Sequence, residues 1–470
     1  MLKVTNTLGG KEEEFKPINP SEVTFYQCGP TVYWNQHIGN MRAVVIADLI
    51  RRSIEYLGFP VKFVRNYTDF GHMTSDADEG EDKMEKAAKR ESLSPRAIAD
   101  KYIEQYEKDV KALNTLAPTV RARATDYLDQ MIKMVQELMQ KGYAYATPKA
   151  IYYDISKFEH YYDLSGHVAE KEQEGAGHGT VSDPNKKQPA DFALWFFKTG
   201  DHKNALQFWP SPFTSPEVEN GYGFPGWHIE CSAMASTVLG VTLDFHMGGI
   251  EHIPVHHTNE IAQSEAISGK KFVNYWLHNG HLMLNGKKIA KSDGNFFTLE
   301  QLEEKGYDPM HLRYLFLQTS YRMQQNFTWE AMDAARTAYV KLINIYARNS
   351  SQTDNQGEII AKAKEKFTAA IEDDFNFPQA LAVLWDLVKS DAKAYDINST
   401  IDDFDRILGL EIEKHVNLIS ATPNGLTAEI SDLVDKRKQA RTNKDWQKAD
   451  EIRQLLKTQY KYNVQDESTK

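Results

Sequence analysis

The sequence predicts an α/β protein whose parallel sheet is split by an insertion and followed by an all-helical bundle, and three observations carry that prediction. Val23-Thr-Phe-Tyr-Gln27 is rich in β-formers, Ala43 to Leu57 repeats with a broad apolar helical face, and Val61-Lys-Phe-Val-Arg65 reads as a second strand, making a βαβ unit. Strand and helix patterns resume far downstream, where Leu243 to Gly249 reads as a strand ending in glycines ahead of a helical stretch. Beyond residue 330 only helical periodicity is left, with Ala338, Val340, Leu342, Ile343 and Tyr346 on one helix and Ala380, Leu381, Val383, Leu384, Leu387 and Val388 on another.

The loop of the first unit is Cys28-Gly-Pro-Thr-Val-Tyr-Trp-Asn-Gln-His37-Ile-Gly-Asn40-Met-Arg42. It sits at the carboxyl edge of a strand, where open α/β sheets bind ligands, and it leads into a helix N-terminus that favours phosphate. Asn40 reads as the N-cap. Next, Asp76 to Glu91 is densely charged and reads as a solvated loop and exposed helix. Helical patterns follow over Ser94–Leu116 and Ala122–Gly142, where Met131 and Met134 read as core filler.

Tyr143 to Asp163 reads as short strands and turns. The stretch Ser165 to Asn185, with His167 and His178, reads as an exposed excursion. Asn285-Gly286 between apolar residues predicts a tight β connection. The expected division is a first half of the sheet domain at 1–118, a connective insertion at 119–215, a second half at 216–285, a loop region at 286–329, a helical bundle at 330–415 and a C-terminal segment at 416–470. In that last segment basic residues such as Lys436, Arg437 and Arg441 alternate with acids, and Trp446 reads as helix packing.

At 470 residues the chain has room for about three domains. Its 41% hydrophobic and 26% charged residues are those of an ordinary soluble protein. No apolar run approaches the roughly 20 residues that span a bilayer, and Met1-Leu-Lys-Val-Thr-Asn-Thr-Leu has no secretory core, so a cytoplasmic location is expected. A net charge of -11 argues against indiscriminate coating of nucleic acid but leaves open a local basic surface for RNA.

Two cysteines, Cys28 and Cys231, rule out a disulfide framework. With His256 and Glu260, four apart on one helical face, they offer two thiols, an imidazole and a carboxylate, a set that Zn2+ accepts. His257 and His228 compete for the imidazole role, and a buried cysteine can equally be a small hydrophobe.

His37-Ile-Gly-Asn40 resembles the His-Ile-Gly-His motif of class I aminoacyl-tRNA synthetases, and Lys288-Ile-Ala-Lys291-Ser292 resembles their Lys-Met-Ser-Lys-Ser loop. Cys28-Gly-Pro-Thr-Val-Tyr, Gly226-Trp-His-Ile-Glu-Cys231-Ser-Ala-Met and His256-His-Thr-Asn-Glu260-Ile-Ala-Gln-Ser are similar to the signatures of the cysteinyl-tRNA synthetase family. The likeness extends through Arg65–Asp69, Lys291–Phe297 and Asp373–Leu381 and is weakest in the insertion and at the C-terminal end.

This resemblance implies a Rossmann-type parallel-sheet catalytic domain, a helical bundle and a small C-terminal tRNA-binding segment. It implies ATP-dependent ligation of L-cysteine to tRNA(Cys) through a cysteinyl-adenylate, by a monomer with one Zn2+ per chain and Mg2+ accompanying ATP. It assigns Cys28, Cys231, His256 and Glu260 to the metal. His37, Asn40, Lys288, Lys291 and Ser292 fall to catalysis, and His37, Gly39, Asn40, Gly248, Gly249 and Lys291 to ATP. Gly29, Thr31, Thr68, Trp227 and His246 would surround the cysteine. A thiolate is a soft, strong zinc ligand and serine's hydroxyl is not, so coordination would separate two substrates that shape alone distinguishes poorly.

Two departures stand out. Asn40 replaces the second histidine, keeping a donor without a charge, and Ala290 removes one hydroxyl from the loop. The runner-up reading is a related ligase that passes cysteine to an amino-sugar, against which the residues after 415 argue. A non-catalytic zinc-binding RNA partner is the third reading, and the presence of His37, Lys288, Lys291 and Ser292 opposes it.

Overall fold

The structure, a computed structural model, describes residues 1–70, 82–166, 183–289, 296–350 and 357–421, and then 433, 436–437, 439–443 and 445–458. Five strands form the central sheet: β1 (Val23–Gln27), β2 (Val61–Tyr67), β3 (Val120–Arg123), β4 (Leu243–Gly249) and β5 (Val273–Asn279). They lie in the order β5-β4-β1-β2-β3 and every pairing is parallel. Such a sheet is covered on both faces, which accounts for strands that are apolar along their whole length. Phe25, aligned with both Phe63 and Phe245, sets the register, and its ring meets Phe63 edge-on at 5.0 Å.

Strand order reverses between β1 and β4, and that junction opens a crevice at the carboxyl ends of the strands. The backbone N–H of Cys28, the first residue after β1, donates to Met247 O at 3.0 Å across it. Three helices bring residues to this edge: α1 (Ile38–Tyr56), α2 (Trp227–Leu239) and α3 (Thr258–Ser268).

The N-cap of α1 is His37, not Asn40. The helix starts three residues earlier than the Asn40 reading because Ile38 N–H donates to Phe297 O at 2.8 Å, a tertiary bond that local sequence does not announce.

The stretch expected as an insertion divides in the structure. Val120–Arg123 pairs with β2 at the edge of the central sheet, in register from Val64↔Val120 to Tyr67↔Arg123. A separate antiparallel sheet joins Ala144–Ala146, Ala150–Tyr153, Phe192–Phe197 and Gly223–Pro225. Its last strand runs directly into α2 through Gly226, where a Cβ would lie 2.1 Å from Ala193 O. His167 and His178 lie outside the described residues, as does part of the charged stretch, 76–81.

Asn285 and Gly286, both at positive φ, turn Leu282–Leu284 back onto Lys287–Lys288, forming the expected tight connection. The helical region packs Trp329–Ser350, Ala361–Glu372, Phe377–Val388, Ala394–Leu408 and Ile412–Ala421 together, with Phe367 and Phe404 stacked at 3.9 Å. Val340, read as part of a packed face, is exposed, and so is Trp446, which opens the helix Trp446–Thr458 without burying its ring.

The bundle is joined to the sheet domain through a buried arginine. Arg313 donates to Asp48 Oδ2 of α1 and to Leu408 O of the bundle, both at 2.7 Å, and to Leu113 O at 2.8 Å. Among the described residues, no helix is long and apolar enough to cross a membrane.

Candidate active site

Cys28 stands at the end of β1, Cys231 in the second turn of α2, and His256 and Glu260 on the turn and helix that follow β4. A π-helical turn over Ile253–His257, opened by Pro254, leads into α3 and sets the two histidines on neighbouring faces. One ligand atom from each of Cys28, Cys231, His256 and Glu260 lies within 4.8 Å of the others. The two Sγ atoms are 3.9 Å apart, and His256 Nε2 is 3.1 Å from Glu260 Oε1. Cys28, His246, His257 and Glu260 form an overlapping group by the same measure, with Cys28 Sγ 3.3 Å from His257 Nε2.

Surrounding residues fix these donors. His228 Nδ1 meets His256 Nδ1 at 3.0 Å, which turns His256 Nε2 toward Glu260. His246 Nε2 holds the other carboxylate oxygen, Oε2, at 2.8 Å. His257 Nδ1 meets His278 Nε2 at 2.7 Å, and His278 Nδ1 meets Thr7 Oγ1 at 2.8 Å. Partners of this kind orient ligating imidazoles and carboxylates in metal sites.

The electrostatics are those of a charged cluster closed off from water. Burial works against ionisation, yet hydrogen bonding to Cys28 and the neighbouring His256 bring the Cys231 thiol down to about 6. Burial likewise opposes a charged His256, but Glu260 and Cys231 raise it to about 10. Glu260 is held at about 2, against burial, by His246 and His256. Burial, then Cys231 and Glu260, push the Cys28 thiol up. Two soft sulfur donors, an imidazole and a carboxylate in this space fit a zinc ion.

The expected cysteine-contacting residues border this cluster. Trp227 stacks on His256 with centroids 4.3 Å apart, and His246 stacks on Trp276 at 4.6 Å. Thr68 pairs with Thr31, and Gly29 N–H donates to Asn66 Oδ1 at 2.7 Å in a space so tight that a Cβ on Gly29 would lie 1.7 Å from Asn66 O. Gly248 and Gly249 end β4 with their Cβ positions taken by the His252 and His257 rings and by Glu251.

His37 caps α1 through Nδ1, which accepts the Asn40 N–H at 3.2 Å. Ile289, buried, reaches Gly39, so the start of the Lys288-Ile289 loop and the His37 turn meet. Lys291 and Ser292 lie outside the described residues, and of Lys288 the backbone is described, paired with Met283.

Sequence reasoning missed three contributors. Glu230 is fully buried one residue before Cys231, and its Oε2 accepts from Thr68 Oγ1 at 2.8 Å. Burial pushes its carboxyl well above the usual range, Cys231 adds to that and Thr68 opposes it. Asn66, between Gly29 and Thr68, and His278, behind His257, complete the list. The nearest signal was Glu230 itself, an acidic residue i+3 from Trp227 inside an otherwise apolar helix.

Residues 14–337 match the family model described as the tRNA synthetases class I (C) catalytic domain, and residues 366–410 match the DALR domain. The chain is 42% identical over 457 residues to Cysteine--tRNA ligase 1 of Burkholderia lata, covering 97% of this chain and 93% of that protein. It is 39% identical over 482 residues to Cysteine--tRNA ligase of Treponema denticola, covering 97% and 96%. Its fold is similar to that of Mycobacterium tuberculosis methionyl-tRNA synthetase in complex with methionyl-adenylate, with a TM-score of 0.58, 14% identity and coverage of 86% of this chain and 95% of that one.

Proposed function

The chain belongs to the cysteine–tRNA ligase family of class I aminoacyl-tRNA synthetases, and from that premise we propose that this site joins L-cysteine to tRNA(Cys) at the expense of ATP. The observation that carries the proposal is the convergence of Cys28, Cys231, His256 and Glu260 at the sheet edge where the N-terminus of α1 also points. One end of the crevice is built to recognise a thiol and the other to receive phosphate.

Zinc held by Cys28, Cys231, His256 and Glu260 would supply a soft Lewis acid that binds a thiolate far better than an alcohol. Around it, Gly29, Thr31, Thr68, Trp227 and His246 enclose the amino acid. The cysteine carboxylate attacks the α-phosphorus of ATP, forming cysteinyl-adenylate and expelling pyrophosphate. A hydroxyl of the 3′-terminal ribose of the tRNA then attacks the acyl carbon and AMP leaves.

The protein's part is positioning and charge stabilisation. His37, Gly39 and Asn40 present the helix N-terminus to the phosphates, which arrive with Mg2+. Lys288, Lys291 and Ser292 offset the charge that develops as pyrophosphate departs. Gly248 and Gly249 lie by the adenine, at a strand end where His252, His257 and Glu251 leave no room for a side chain. The monomer's bundle, including the DALR match, and the segment after residue 416 carry the tRNA.

Transfer of labelled cysteine to acid-precipitable total tRNA with ATP, with pyrophosphate release followed in the same reaction, tests the proposal. Label on tRNA is the expected result. Cysteine-dependent pyrophosphate without labelled tRNA would replace it with the amino-sugar ligase, and the absence of both signals would leave the non-catalytic zinc-binding RNA partner.

A further inference from the structure

The Thr68 hydroxyl has one proton, and it is donated to Glu230 Oε2 at 2.8 Å, while Asn66 Nδ2 donates to the same hydroxyl oxygen at 3.3 Å. What remains on Thr68 is an acceptor. The hydroxyl is held in that orientation from both sides: Thr68 N–H donates to Pro30 O and Thr68 O accepts from Val32 N–H, each at 3.1 Å, and Gly29 secures Asn66.

Glu230 is completely buried, and its second oxygen, Oε1, has no hydrogen-bond partner. Buried carboxylate oxygens are nearly always satisfied, so an orphan points to a donor that arrives with a ligand. Trp227, Glu230 and Cys231 are spaced i, i+3 and i+4, which puts the carboxylate on the face of α2 that also bears the thiol and the indole.

We infer that Glu230 is a substrate-specificity residue whose Oε1, with the Thr68 hydroxyl, forms a two-acceptor subsite for the α-ammonium group of the amino acid. The inference rests on the reading given under Proposed function. An ammonium group is all donor and positively charged, so it gives Oε1 the partner it lacks and favours the ionised Glu230 that burial alone disfavours, and the substrate's own carboxylate is turned away from it toward the phosphate end. The thiol is gripped at one point and the amine at a second, which fixes the orientation of a very small substrate.

Binding to the zinc-loaded full chain, measured by calorimetry with L-cysteine and with 3-mercaptopropionate, which lacks the amine, tests the subsite. Wild type is expected to prefer cysteine, and Glu230→Gln to weaken cysteine by about tenfold to a hundredfold, as loss of a hydrogen bond to a charged group does, while barely changing the analogue. Equal loss for both ligands, or no loss for cysteine, would overturn the role of Glu230 and leave the synthetase reading intact. Wild type that binds neither ligand would overturn that reading instead. Should melting or zinc content show that Glu230→Gln does not fold, Thr68→Val decides on the same ratio: loss confined to cysteine supports the subsite, and loss shared by the analogue refutes it.

Discussion

Asn40 Oδ1 accepts the His37 backbone N–H at 3.3 Å while the Asn40 N–H is donated to His37 Nδ1 at 3.2 Å, so each residue holds the other at the start of α1. With Oδ1 committed to the backbone, the hydrogen-bonding group the Asn40 amide has left is its NH2 donor. Asn40 thus does neutrally what a histidine in its place would do with the option of a charge. Asn40→Ala is expected to lose half of this reciprocal cap, costing about 1 kcal/mol of stability, and to slow cysteine-dependent ATP–pyrophosphate exchange. Asn40→His is expected to raise exchange above wild type. An Asn40→Ala protein exchanging at the wild-type rate would remove Asn40 from the adenylation step.

Arg313 and Asp48 make a second, structural prediction. Both are sealed from solvent, and Arg313 also donates to carbonyls of the bundle and of the segment after the Pro95–Ala112 helix. Arg313→Met leaves Asp48 with Arg52 as its remaining ionic partner, at 2.8 Å, and strips donors from Leu408 and Leu113. Breaking a buried pair in this way costs about 3–5 kcal/mol, a loss that urea denaturation would register.

The same pair predicts an acid dependence. Burial raises the Asp48 carboxyl, but Arg313 and Arg52 outweigh it and hold it below the ordinary range. A carboxyl lowered by folding contributes stability above its unfolded value, about 3.9, and that contribution is lost as pH falls from there through the folded value. Asp48→Asn should therefore be less stable than wild type at neutral pH, and the gap should close as the pH drops below about 4. A gap that stayed constant down to pH 2 would assign the effect to packing.

Much of this was legible in the chain because it is local. The βαβ unit around Cys28, the Asn285-Gly286 turn and the helical periods after 330 all follow from neighbours in sequence. What stayed hidden is tertiary. Val120-Arg-Ala-Arg123 is too short and too charged to read as a strand until it lies against β2. Cys28 and Cys231, though named as partners, meet because α2 crosses a sheet in which β4 lies beside β1. Glu230 looks like any helical glutamate until burial and Thr68 single it out.

Gly29 should tolerate no side chain. A Cβ there would overlap Asn66 O at 1.7 Å, and that carbonyl, being backbone within β2, has no flexible end that can yield. Gly29→Ala must push the Cys28–Pro30 turn away from β2, carrying Cys28 from Cys231 and loosening Asn66 from Thr68. The expected result is a folded chain with a KM for cysteine raised at least tenfold, while the KM for ATP changes little because the α1 cap is untouched. Parallel changes in both constants would mean that the whole crevice had moved.

His228 offers the most selective test of the metal site. It is not one of the four candidate ligands, yet its Nδ1 lies 3.0 Å from His256 Nδ1 and both rings are buried. That contact fixes which His256 nitrogen faces the thiols and Glu260. Replacing His228 with Phe keeps an aromatic ring against Phe192 and Trp227 but removes the partner, freeing His256 to turn. Outer partners of ligating histidines typically contribute 10–100-fold in metal affinity, so a loss of about that size is expected for zinc. Competition with a chromophoric chelator would measure it, and the helix content of the variant should match wild type. Removing zinc from wild type with a strong chelator should abolish cysteine binding and spare ATP binding. If His228→Phe held zinc as tightly as wild type, the overlapping set of Cys28, His246, His257 and Glu260 would become the better assignment, because His256, the ring that His228 contacts, is not a member of it.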